Sequence, residues 1–108
     1  MKLMTKEILN KIKKYPLYSQ DGKGDEAVVI AKFFGGSRWS WYATEGNILP
    51  DGDIEFFGLV VGDYDADLGY FTLSELESLK FPPFGLGVER DRYFTGNIGD
   101  AKKEARVA

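Results

Sequence analysis

The stretch Ala27-Val28-Val29-Ile30-Ala31-Lys32-Phe33-Phe34-Gly35-Gly36-Ser37-Arg38-Trp39-Ser40-Trp41-Tyr42-Ala43-Thr44-Glu45 decides the fold. Its first part, Ala27–Phe34, is dense in β-branched and aromatic residues and reads as a strand. Gly35-Gly36 can supply the two positive-φ positions of a tight hairpin turn. Arg38–Glu45 then returns as an antiparallel partner. A two-residue turn pairs Phe34 with Ser37, Lys32 with Trp39, and Ile30 with Trp41. Val28, Ile30, Trp41 and Ala43 would then share one face, and Val29, Phe33 and Tyr42 the other.

Downstream, Gly46–Asp53 reads as a turn region around Pro50 and Asp51-Gly52. Ile54–Val61 is apolar on both parities after Glu55, the mark of a central strand covered on both faces. Gly62–Asp67 is a tight acidic loop, and Leu68–Phe71 a short strand. Thr72-Leu73-Ser74-Glu75 has capping-box spacing and should open a short helix running to about Leu79. Phe81-Pro82-Pro83-Phe84-Gly85 reads as a rigid loop, and Arg90–Phe94 as a last short strand. The tail from Gly96 is polar and is expected to fray or form a weak helix. Upstream, Thr5 can cap a helix over Lys6–Lys14, with Met4, Ile8, Ile12 and Tyr15 at helical spacing and Leu9 beside them. Pro16 ends that helix by restricting Tyr15. Tyr18–Glu26 reads as a polar loop. The fold class is therefore α+β: a mostly antiparallel sheet of four or five strands, packed by an N-terminal helix and a short late helix. One domain is expected over residues 1–108, with the helix in 1–15, the sheet core and late helix in 27–79, and a frayed tail in 96–108.

The chain holds 14 Lys+Arg, 17 Asp+Glu, no His and no Cys, for a net charge of −3. Without Cys there is no disulfide, thiolate zinc site or thiol nucleophile. Without His there is no imidazole base and no HExxH metal site. Most enzyme templates fitting a small domain are thereby excluded, and no cofactor is expected. The charge is unevenly spread: residues 1–38 carry +4, residues 39–79 carry −9 with no base at all, and residues 80–108 carry +2. The acids of the centre are Glu45, Asp51, Asp53, Glu55, Asp63, Asp65, Asp67, Glu75 and Glu77. The same segment holds Trp39, Trp41, Phe56, Phe57, Leu59 and Tyr70, so it should fold rather than form a disordered acidic tail. No apolar run is long enough to span a bilayer. The first apolar stretch is broken by Lys6, Glu7, Lys11, Lys13 and Lys14, unlike a signal peptide. A monomeric protein of the cytosol is the expectation, the absent Cys fitting a reducing compartment.

Five chemistries can be weighed. Asp63-x-Asp65-x-Asp67 begins like a calcium loop, but Leu68 stands where the loop needs Gly and Ser74 where it needs Glu. Paired carboxylates could hydrolyse glycosides or hold magnesium, but acids are so plentiful that proximity alone says little. Gly35-Gly36-Ser37 lacks the lysine and helix of a phosphate loop. Direct nucleic-acid binding through aromatics and Lys11, Lys13 and Lys14 is disfavoured, since the most aromatic region is also the most acidic. Nucleic-acid mimicry is the fifth. Asp51, Asp53 and Glu55 alternate along one strand approach, where same-face residues lie roughly 6.6–6.8 Å apart, and such a row can occupy a basic groove. The competing reading is a solubilising acidic surface.

Several segments together carry a resemblance. They are Tyr18-Ser19-Gln20 with Gly24-Asp25; Ala31-Lys32-Phe33-Phe34; Trp41-Tyr42-Ala43-Thr44-Glu45-Gly46; Phe56-Phe57-Gly58-Leu59-Val60; Leu68-Gly69-Tyr70-Phe71-Thr72-Leu73-Ser74-Glu75-Leu76-Glu77; and Glu89-Arg90-Asp91 with Tyr93-Phe94. From about Met1 to Phe94 the chain resembles a family of small bacterial domains of unassigned function, carried on plasmids, conjugative elements and prophages. One branch of that family is associated with anti-CRISPR proteins that inhibit Cas9 of type II-A systems. The resemblance implies a non-enzymatic inhibitor of a Cas9-type effector in the bacterial host cytosol. Such effectors hold nucleic acid in basic channels, which an acidic domain could plug. The residues expected to bind the partner are Asp51, Asp53, Glu55, Asp63, Asp65 and Asp67. The alternative is a mobile-element accessory protein that binds nucleic acid or a replication partner through its basic ends.

Overall fold

The computed structural model describes residues 3–36, 38–63 and 65–107. The elements follow in the order α1 (Lys6–Lys14), a 3-10 turn (Gly24–Glu26), β1 (Ala31–Gly35), β2 (Trp39–Ile48), β3 (Ile54–Val61), β4 (Ala66–Thr72), α2 (Leu73–Ser78), β5 (Glu89–Asp91) and α3 (Ile98–Ala105). The strands form one five-stranded sheet, ordered β4-β3-β2-β1-β5, with antiparallel pairing throughout. The α+β class and the N-terminal and late helices are as the sequence predicts.

Both early caps form. Thr5 Oγ1 accepts from the Ile8 N–H at 3.2 Å. Thr72 and Glu75 complete a reciprocal capping box at α2. The helices divide between the two faces of the sheet. Ile8 and Ile12 of α1 and Leu76 of α2 pack with Phe33, Trp41, Phe56 and Phe71 on the front face. Ile98 and Ala101 of α3 pack with Tyr42, Leu59 and Val61 on the back. β3 thus contributes Ile54 and Phe56 to one core and Leu59 and Val61 to the other, the two-sided burial that its apolar run predicts. Both tryptophans lie on the front, where Trp39 stacks on Trp41 at 5.8 Å.

Two expectations are corrected. The hairpin is not closed by Gly35-Gly36. Gly35 stays in β1 and pairs with Trp39, Phe33 pairs with Trp41, and Lys32 with Tyr42. The expected Phe34–Ser37 pair involves a residue outside the described ones. The new register reverses the facing, because side chains alternate with period two: Phe33 and Trp41 share a face instead of opposing one another. The reason is tertiary, since Phe81 lies directly over Gly35, with its ring 2.5 Å from where a Cβ would stand. The tail is also not frayed. α3 has its own capping box, with Asn97 and Asp100 as the reciprocal pair, and its Ile98 and Ala101 are buried. Its polarity is that of a helix with a narrow buried stripe.

Candidate interaction surface

The site begins with an irregularity in β2. Its pairing with β3 shifts between Ala43 and Glu45, a β-bulge at Thr44. A bulge re-aims the residues beyond it. Here it turns Glu45 to the back face, beside Phe57, and leaves Gly46 on the front beneath α1. The position suits glycine, because an added Cβ would sit 3.0 Å from Ile12 Cγ1. Opposite the bulge, Gly58 lies so close to β2 that a Cβ would stand 1.9 Å from the Tyr42 carbonyl oxygen.

Glu45 is buried at 2% exposure, and its carboxylate meets backbone donors: Oε1 accepts from Tyr18 N–H at 2.7 Å and Oε2 from Gln20 N–H at 2.9 Å. Gln20, equally buried, donates from Nε2 to the Val28 and Thr44 carbonyls, and its Oε1 accepts from the Val28 N–H. This clasp fixes the loop after α1 across the back of the sheet. It holds Tyr18 at φ 73, a left-handed conformation that costs a non-glycine residue energy and persists only where surroundings impose it.

Tyr18 so placed meets Tyr70 of β4. Phe57 lies against Tyr70 with ring centroids 4.9 Å apart, and Leu68 follows on the same face of β4. α3 covers the other part of this face, so Tyr18, Leu68 and Tyr70 stay 64%, 57% and 53% exposed. The Tyr18 hydroxyl, hydrogen-bonded to Tyr70, raises the Tyr70 phenol, with Asp21 and Glu55 adding to the effect. An aromatic patch with acidic neighbours results. The sequence offered only one hint of it, the alternation of Leu68 and Tyr70 across Gly69, and could not say which stretch of sheet a helix leaves bare.

The six acids expected to bind the partner, whose convergence the sequence leaves open, do not come together in one place. β3 separates them: Asp51, Asp53 and Glu55 lie at its start, while Asp63, Asp65 and Asp67 lie at and beyond its end. At ~3.3 Å per residue, the turns at the two ends of β3 stand roughly 25 Å apart, and Glu55 and Asp67, which pairs with Val60, roughly 17 Å apart along the ladder. Asp51 and Asp53 also have internal roles. Asp51 Oδ1 accepts from the Asp53 N–H at 2.9 Å. Asp53 accepts from the Ile54 N–H, the Ser74 N–H and, at 2.6 Å, the Ser74 hydroxyl, joining the β2–β3 turn to α2. Those bonds, the Ser74 hydroxyl first, hold its carboxyl below the usual range. Glu55 is half-buried on the back face near Tyr70, whereas Asp67 is exposed on the front edge of β4. Among the described residues, no three acidic side chains converge as a metal cage.

Asp63 and Asp65 line a cavity of about 890 Å³ that also takes in Lys32, Arg38, Asp91 and Arg106. Lys32 pairs with Glu104 and, at 3.2 Å, with Asp91. The Tyr42 hydroxyl donates to the same Glu104 carboxylate at 2.7 Å. Burial and that carboxylate both push the Tyr42 phenol well above its ordinary value. Burial works against ionisation of Asp91 too, but the Tyr93 N–H and Lys32 outweigh it and hold its carboxyl below the usual range. Lys32 also lies over the rings of Tyr42 and Phe94. These contacts dock α3 and β5 onto the sheet, and they give the cavity a balanced lining of both signs.

A family model described as "Protein of unknown function (DUF2958)" matches residues 3–102. No curated protein and no solved structure matches the chain. No helix is long and apolar enough to cross a membrane among the described residues.

Proposed function

The chain belongs to this family of proteins of unknown function, and we propose that it is a non-enzymatic protein-binding module. It acts as a stoichiometric inhibitor of a Cas9-type effector in a bacterial host, by covering a basic nucleic-acid-binding surface. The observation that carries this reading is the placement of the acidic block. Residues 39–79, without a single Lys or Arg, build β2, β3, β4 and α2, one contiguous side of the molecule. A basic surface approaching that side meets carboxylates at both ends of β3 with the aromatic patch between them. Long-range attraction of this kind speeds association and weakens with salt.

The test is inhibition of DNA cleavage by a purified Cas9–guide complex with near-equimolar protein, at low and high salt. Charge reversal in two groups, Asp63, Asp65 and Asp67 together and Asp51 with Glu55, should relieve inhibition. Asp53 is left intact because it holds α2. Full inhibition by both folded reversal variants would sink the acidic-surface mechanism.

The basic-ends alternative has less support, because α1 and α3, which carry many of the terminal bases, lie on opposite faces of the sheet. Tight binding to DNA or RNA in a gel-shift titration without any protein partner would reverse that preference.

A further inference from the structure

β4 ends the sheet order, and among the described residues no strand pairs with its outer edge, its backbone pairing being with β3 on the other side. Which of its groups point outward follows from the turn. The Gly62 N–H donates to the Asp65 carbonyl at 2.8 Å, making that pair a hydrogen-bonded one. Bonded and non-bonded pairs then alternate along an antiparallel ladder. Ala66, Leu68, Tyr70 and Thr72 therefore turn their N–H and C=O groups away from β3. The Thr72 N–H confirms the phase, since it is taken at 3.2 Å by Glu75 of the capping box. Among the described residues, the N–H groups of Ala66, Leu68 and Tyr70 have no protein acceptor.

Sheet proteins commonly guard such an edge with lysine, proline, a bulge or a covering segment. β4 has seven residues, no bulge, no proline, and Asp67 as its one charge. The residues whose backbone faces outward also carry the exposed side chains Leu68 and Tyr70, both on the back face. Acids flank the edge, Asp65 and Asp67 at one end and Glu75 at the other, with Glu55 beside Thr72 on the neighbouring β3. Lys102, which lines a groove with Ala66, Asp67 and Leu68, is engaged with Asp25 at 2.7 Å.

Resting on the reading of this chain as a protein-binding module, we propose that the β4 edge receives an extended basic segment of its partner as a sixth strand. The segment's backbone would pair with Ala66, Leu68 and Tyr70. Its alternate apolar side chains would pack on Leu68, Tyr70 and Tyr18, and its Lys or Arg residues would meet the flanking acids. This is strand addition, in which main-chain bonds supply affinity and alternate side chains supply specificity. A second copy of this chain fits worse, because edge-to-edge pairing would set the acids of one copy against those of the other.

The probe is the capped peptide Lys-Val-Lys-Val-Lys-Val, titrated into the full chain while backbone amide resonances and hydrogen exchange are followed. Saturable shifts and at least tenfold slower exchange are expected at Ala66, Leu68 and Tyr70. N-methylating alternate residues of the peptide should weaken binding tenfold or more, and replacing its lysines with glutamate should abolish it. Leu68→Pro removes an outward N–H without touching the β3 ladder and should abolish binding. Leu68→Lys, with every amide kept, should weaken it at least fivefold and covers the case in which the proline variant fails to fold.

No binding at millimolar peptide, equal binding of the N-methylated peptide, or shifts confined to other strands would each overturn the proposal. So would concentration-dependent dimerisation that protects the same three amides without peptide. Failure of the broader reading stays distinguishable. Peptide binding at β4 with no effect on Cas9 cleavage would retain the edge site and remove the effector. Cas9 inhibition unchanged by Leu68→Lys would do the reverse.

Discussion

Glu45 Oε1 lies 2.7 Å from the Tyr18 backbone nitrogen, so a buried carboxylate from the middle of the sheet holds the loop residue that completes the exposed aromatic patch. Replacing Glu45 by Ala leaves the Gln20 N–H without an acceptor in a buried setting and the Tyr18 N–H without one in a part-buried setting. A loss of about 2–3 kcal/mol of stability is expected, measured by urea denaturation. In the still-folded fraction, amide exchange over residues 17–23 should rise before exchange in β3 does.

Gly58 and Gly69 face each other across the β3–β4 ladder and provide a matched pair. A Cβ at Gly58 would stand 1.9 Å from the Tyr42 carbonyl oxygen, whereas one at Gly69 meets nothing within 4 Å. Gly58→Ala should cost about 2–4 kcal/mol. Gly69→Ala should stay within about 1 kcal/mol of the parent. Equal effects in thermal denaturation would mean that the bulge opposite Gly58 is not built as described.

Asp53 predicts an acid limb. Its native carboxyl is held below the usual carboxylate range, chiefly by the Ser74 hydroxyl and the Ile54 N–H. A carboxyl lowered on folding contributes stability that is present above the unfolded pKa and lost as pH falls through the native one. Asp53→Asn should therefore be less stable than the parent near neutrality, and the gap should narrow below about pH 4. Melting temperatures followed across that range provide the check. Asp91 is lowered as well, so the variant should keep part of the acid limb.

The alkaline side is set by Tyr42, one of six tyrosines. Its phenol is raised by burial and by Glu104. A raised native pKa contributes stability below the unfolded value near 10 that disappears as pH climbs toward the native one. In an ultraviolet titration Tyr42 should ionise last and together with unfolding. Tyr42→Phe should remove that late phase and cost about 1 kcal/mol through the lost hydrogen bond to Glu104.

The local devices were legible in the chain. Thr5, Thr72 with Glu75, and the two-sided run Ile54–Val61 act through neighbours a few residues away, so spacing alone reveals them. The hairpin register was not, because Phe81 over Gly35 acts from far along the sequence and no local rule for Gly-Gly anticipates it. The tail was legible only as fraying or a weak helix, and its packing was not, for a related reason: Ile98 and Ala101 are too few to mark a buried stripe until the back face of the sheet is there to receive them.

The candidate site divides the same way. Sequence alone determined that residues 39–79 are uniformly acidic yet rich in aromatics, so this segment had to fold and to present its carboxylates. Sequence could not determine where those carboxylates stand. Eight residues of extended β3 carry the two acidic turns to opposite ends of the sheet, and hydrogen bonds from Ser74 and Ile54 commit Asp53 to the fold. Tertiary structure alone decided that Tyr18, Leu68 and Tyr70 meet on a stretch of sheet left uncovered beside an unpaired edge. That outcome depends on which part of the back face α3 shields and on where the buried Glu45 anchors a loop 27 residues upstream, and contacts of that range leave no periodic trace in the chain.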